Sequence, residues 1–107
     1  MNQPRKRISL KSLSPARQEL LICMHEKQFG SIRNLVIVNG EPMMQRARVT
    51  YRRNLTKLTP AKPVSRNFIL KDAQLQLLDQ LDEIGNGVLE LVTFRNGLPC
   101  ELEQSAT

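Results

Sequence analysis

Tryptophan is absent from this 107-residue chain, and only Phe29, Tyr51, Phe68 and Phe94 are aromatic. Any core must therefore be built from leucine, isoleucine and valine. Cysteine is scarce: Cys23 and Cys100 lie far apart, with no Cys-x-x-Cys pair. That excludes a disulfide framework and a cysteine metal knot, and two buried, inert thiols are expected. Histidine occurs once, as His25. No stretch reaches the roughly 18 apolar residues that a membrane-spanning helix requires. The basic start Arg5-Lys6-Arg7 leads into Ile8-Ser9-Leu10-Lys11 and not into the apolar segment of a signal peptide. A cytoplasmic protein with no membrane contact is the expectation. Neither a Gly-x-Gly-x-x-Gly nor a phosphate-binding loop motif is present.

Acid is scarce too, but in one half only. Residues 1–66 hold 14 Lys and Arg against Glu19, Glu26 and Glu41, whereas residues 67–107 hold Lys71 and Arg95 against seven acids. The formal net charge of +6 thus conceals a basic first half and an acidic second half. One attracts polyanions and the other repels them.

What the chain does contain is an internal match. Shifted by 57 positions, residues 14–43 align without a gap on residues 71–100, with eight of thirty positions identical. The identities include Leu20/Leu77, Leu21/Leu78, Gly30/Gly87, Asn39/Asn96, Gly40/Gly97 and Pro42/Pro99. Each copy opens as a helix. Ser14 is a good N-cap ahead of Pro15, and Asp72 suits the positive end of the second helix. The apolar stripes are Leu20, Leu21 and Met24 in the first helix, and Leu77, Leu78, Leu81 and Ile84 in the second. Gly30 and Gly87 are placed to form the left-handed helix exits. Apolar strands follow at 32–38 (IRNLVIV) and 88–94 (VLELVTF). The Asn39-Gly40 and Asn96-Gly97 pairs predict two-residue type I′ hairpin turns. Pro42 and Pro99 then predict edge strands, because proline cannot donate to a ladder.

The expected fold is α+β: a tandem αββ-αββ repeat forming a four-stranded antiparallel sheet with two helices on one face. The whole chain is one compact domain, with a basic repeat over 14–53, a linker over 54–66 and an acidic repeat over 67–103. A flexible basic arm covers 1–12. A monomer or a homodimer with exchanged hairpins satisfies the same pattern. The first return strand reads as a long alternating segment, with Arg46, Arg48, Thr50 and Arg52 on one side and Ala47, Val49, Tyr51 and Arg53 on the other.

The order helix, glycine, short apolar strand, Asn-Gly, return strand resembles small bacterial proteins of the YezD-like type. Residues 19–42 carry the resemblance, and residues 76–99 carry it more loosely. It implies a compact αββ unit and brings no established activity, cofactor or site.

Catalysis finds little support. His25 sits mid-helix beside Glu26, and Asp79, Asp82 and Glu83 read as a solvated helix face, so no enzyme, catalytic residue, metal or other cofactor is expected. The basic residues stand out instead. Arg5, Lys6, Arg7 and Lys11 form an arm, and Arg46, Arg48, Arg52, Arg53 and Lys57, with Thr50 as a hydrogen-bonding partner, form a basic strand. Such an array neutralises phosphates and releases their counterions. Nucleic acid, with duplex DNA favoured, is the expected partner. The alternative is a protein-interaction module in which the acidic second repeat meets a protein partner.

Overall fold

The structure is a computed structural model, and it describes residues 7–52 and 67–104. Helix α1 spans Pro15–Lys27 and is followed by strands β1 (Gly30–Val38), β2 (Glu41–Met43) and β3 (Arg48–Tyr51). Helix α2 spans Asp72–Ile84 and is followed by β4 (Gly87–Arg95) and β5 (Leu98–Glu103). All five strands join one antiparallel sheet.

The helices begin where local chemistry lets them. The Ser14 hydroxyl accepts the Arg17 amide at 3.4 Å, with proline in the first turn. The Gln74 side chain accepts the Lys71 amide at 2.8 Å at the start of α2. Leu20, Leu21 and Met24 of α1 and Leu75, Leu77, Leu78 and Leu81 of α2 enter one core with Ile32, Leu35, Ile37, Leu89, Val92 and Phe94 of the sheet. Both helices thus cover the same face, and the opposite face is open.

The central pair is β1 with β4. Ile32 faces Val92 and Leu35 faces Leu89; Gly30 faces Phe94 and Ile37 faces Gly87. Each of these pairings becomes its mate when the two units are exchanged. Inward residues Ile32 and Leu35 are three apart, as are Leu89 and Val92, so the two-residue alternation slips once in each strand. In β1 the slip falls at Asn34, which takes a positive φ of 56° that asparagine tolerates better than most residues. The turns also grip the opposite units. The Gly40 amide donates to the Gly85 carbonyl at 2.7 Å, and the Gly97 amide donates to the Gln28 carbonyl at 3.0 Å. Arg17 reinforces the first grip, donating to the Gly40 carbonyl at 3.1 Å and pairing with Asp82.

Several expectations are met. Asn39, Gly40, Asn96 and Gly97 all carry positive φ, as type I′ turns require. Pro42 and Pro99 lie on the two outer edges of the sheet. Others are corrected. Four strands were expected, but the first return strand is broken. Between the pairs Val36–Met43 and Arg33–Arg48, β1 advances three residues while its partner advances five. The surplus is taken up in a 3₁₀ turn over Met44–Arg46 that turns Met44 and Ala47 onto the core. Arg46 therefore belongs to a turn and not to a strand. The second return strand absorbs only one surplus residue, Cys100, at a bulge opposite Thr93 and Phe94.

The helix exits are also not where glycine predicted them. Gln28 (φ 70°) and Gly85 (φ 66°) make the reversals, each closed by an amide two residues apart: Phe29 to Lys27 and Asn86 to Ile84. Gly30 begins β1 and is needed for another reason. A Cβ there would lie 2.1 Å from the Thr50 carbonyl oxygen and 2.8 Å from the Tyr51 Cα. Of the segment expected as an arm, residues 8–10 bridge residues 68–70 through the Leu10 amide to the Phe68 carbonyl and the Leu70 amide to the Ile8 carbonyl, both 2.8 Å. Leu10 is fully buried.

Candidate nucleic-acid interface

The open face of the sheet is assembled by register. With Ile32, Val49 and Val92 directed inward, their neighbours Arg33, Arg48, Ser31, Thr50, Leu91 and Thr93 are directed outward. Arg33 and Arg48 are directly opposed partners on β1 and β3. Opposed Cβ atoms in such a pair are roughly 5 Å apart, and like charges there are destabilising. Among the described residues no acid pairs with either arginine. The row of Arg48, Arg33 and Leu91 ends in Glu103 on β5, and the next row is Thr50, Ser31, Thr93 and Glu101, with the Ser31 and Thr50 hydroxyls bonded at 2.8 Å.

Beyond that row the sheet ends in an open depression of about 580 Å³. Its lining includes Phe29, Ser31, Thr50, Arg52, Thr93 and Arg95. The Arg52 amide donates to the Phe29 carbonyl at 2.9 Å, extending the β1–β3 ladder by one step. Phe29 is 43% exposed, unusual for phenylalanine next to a core strand. Tyr51 borders the same depression with the Lys27 ammonium 4.4 Å from its ring centroid. At the other end the open face is apolar, where Val36 pairs with Met43 and Val88, and Val38 and Val88 are both exposed.

The residues singled out from the sequence are thus sorted. Arg48, Thr50 and Arg52 meet on the open face or at its end. Arg46 is exposed in the neighbouring turn. Arg7 and Lys11 are exposed on the segment ahead of α1. Arg5, Lys6, Arg53 and Lys57 lie outside the described residues. Sequence reasoning missed Arg33 and Arg95. Arg33 was legible as a lone base in an apolar strand, but Arg95 belongs to the acidic unit and joins the others only because β4 pairs with β1.

The remaining chemistry is sparse. Burial pushes the Cys23 thiol pKa up, opposed by the nearby Lys27 charge. Cys100 is exposed, correcting the expectation of two buried thiols, and its sulfur lies 3.2 Å from the Thr93 hydroxyl. His25 stacks on Phe68 with ring centroids 4.9 Å apart. Among the described residues no group of three His, Cys, Asp or Glu side chains is placed to hold a metal, and no helix is long and apolar enough to cross a membrane. No protein-family model, curated protein or solved structure matches this chain.

Proposed function

We propose that the chain is a tandem duplication of one αββ unit and that it binds nucleic acid, without catalysis, on the open face of its sheet. The observation that carries the reading is the opposed pair Arg33 and Arg48, flanked along the face by Arg52 and Arg95. Two arginines held side by side without an acid cost stability in the free protein. A phosphate between them removes that cost. The hydroxyls of Ser31, Thr50 and Thr93 supply neutral donors beside the charges. The duplication is supported by helices and long strands whose bounds repeat at an offset of 57, and by the reciprocal turn-to-helix bonds.

Fluorescence anisotropy with a labelled oligonucleotide at two salt concentrations tests the binding. Four arginines on phosphates give a log–log salt slope of about −3 to −4. The double variant Arg33→Ala, Arg48→Ala should lower affinity at least tenfold and flatten that slope. Equal binding by wild type and double variant, with an intact thermal transition, would sink the reading.

A second reading has its own observation. The exposed Val38 and Val88 beside Val36 and Met43, with acidic Glu101 and Glu103 on the β5 edge, suit a protein partner of mixed apolar and basic character. Light scattering of the pure protein and co-purification after nuclease treatment separate it from the first.

A further inference from the structure

Resting on that reading, we infer that the ligand is single-stranded nucleic acid, with an unpaired base stacked on Phe29 and its flanking phosphates held by Arg52 and Arg95. The sheet is four strand-widths across, because β2 and β3 share one edge of β1 while β4 and β5 follow on the other. At about 4.8 Å per neighbour the outer strands are roughly 14 Å apart before side chains are added. The major groove of duplex DNA is about 12 Å wide. The face is too broad to enter it. Two of the arginines, Arg33 and Arg95, lie on the two inner strands, β1 and β4.

The expectation of duplex DNA drew on a long basic strand. Only the four residues Arg48–Tyr51 form β3, and among the described residues they are paired with β1 and form no free ribbon.

A duplex hides its bases in the stack, and a protein that touches only phosphates gains nothing from an aromatic ring. A single strand offers both phosphates and base faces, and single-strand sites combine arginines with exposed aromatic side chains. The depression at the sheet end has this composition: Phe29 as a ring, Arg52 and Arg95 as cations, and Ser31, Thr50 and Thr93 as hydroxyls. Gly30 makes the arrangement attainable, since any Cβ would push β3, and with it Tyr51 and Arg52, away from β1.

The test uses the intact chain and four labelled probes: 12-nucleotide single-stranded DNA and RNA of mixed sequence, and blunt duplexes of each. The expected result is at least tenfold tighter binding of one or both single strands than of either duplex. The two single-strand arms show whether the ribose hydroxyl matters. Phe29→Ala removes an exposed ring and should leave the melting temperature nearly unchanged. It should weaken single-strand binding by roughly 5- to 150-fold, the worth of one stacked base, and leave duplex binding unaltered. Phe29→Tyr should restore the single-strand affinity. Duplexes bound as tightly as single strands, or single-strand binding indifferent to Phe29→Ala, would overturn the inference while leaving the arginine face in place. If the double variant at Arg33 and Arg48 changes neither class of probe, nucleic-acid binding on this face fails altogether.

Discussion

The two units share a frame and differ in almost everything laid upon it. Helix, reversal, long strand and Asn-Gly turn recur at the same offset. The residue at the reversal is Gln28 in one unit and Gly85 in the other, in nearly the same backbone conformation. The return strand is broken by a 3₁₀ turn in one and by a single bulged cysteine in the other. Charge follows the same division, with arginine on the β1–β3 side and glutamate on β5. The comparison separates what the fold requires from what one αββ unit alone carries. Turn glycines and inward apolar residues belong to the first group, whereas Gly30's close contact, the arginine pair and exposed Phe29 belong to the second.

The comparison breaks most sharply at the paired glycines Gly30 and Gly87. Gly30→Ala should cost about 3 kcal/mol, because a methyl group at the Thr50 carbonyl forces β3 off the sheet. Gly87→Ala meets two side-chain atoms, the Ile84 Cγ2 at 3.2 Å and the Gln104 Nε2 at 3.5 Å, and should cost less than about 1 kcal/mol. Urea denaturation of the two variants measures both. Equal costs would mean that β3 is not docked as described.

The helix exits give the next largest effect. Gly85→Ala places a side chain at φ 66° with nothing within 4 Å to clash, so its cost of about 1–2 kcal/mol is purely conformational. Gln28→Gly relieves the same strain in the other unit. It forfeits the Gln28 side-chain bond to the His25 carbonyl and adds chain entropy, so the gain stays under about 1 kcal/mol. Thermal melts of the two should move in opposite directions.

Smaller still is the cost of the arginine pair. Arg48→Ala should stabilise the free protein by about 0.2–1 kcal/mol at low salt, with the gain fading as salt screens the repulsion. A variant that melts higher yet binds nucleic acid worse would identify a site held at the expense of stability. Destabilisation would show that the pair is neutralised within the chain.

The two thiols test the units without touching stability. At pH 8, Cys100 should react with a thiol-specific reagent first, because it is exposed. Cys23 should lag, because burial raises its pKa and keeps the thiolate scarce. Mass spectrometry of the partly labelled protein reads the order, and first labelling at Cys23 would contradict the packing of α1.

Much of this frame was legible in the sequence, since it rests on local chemistry. Ser14-Pro15 marks a helix start, and Asn-Gly between apolar runs marks a hairpin, wherever they occur. The remainder depended on long-range pairing. The break at Met44–Arg46 follows from a register mismatch with β1 and from the room that the core leaves for Met44 and Ala47. Gln28 gave no sign of a left-handed exit, because glycine is the usual signal and Gly30 stood two residues further on. Arg95 was hidden by the acidity of its own unit, and only the β1–β4 ladder brings it to the arginines of the first. The arginine face is therefore not confined to the first unit, as the charge division suggested, but gains Arg95 from the second.

The most direct test of the arginine face is a backbone NMR titration with a single-stranded oligonucleotide at low salt. The account predicts amide shifts concentrated at Phe29, Ser31, Arg33, Arg48, Thr50, Arg52, Thr93 and Arg95, with the helix surface around Asp79 and Glu83 unmoved. Shifts clustered on the helices or along β5, or none at millimolar oligonucleotide, would contradict it.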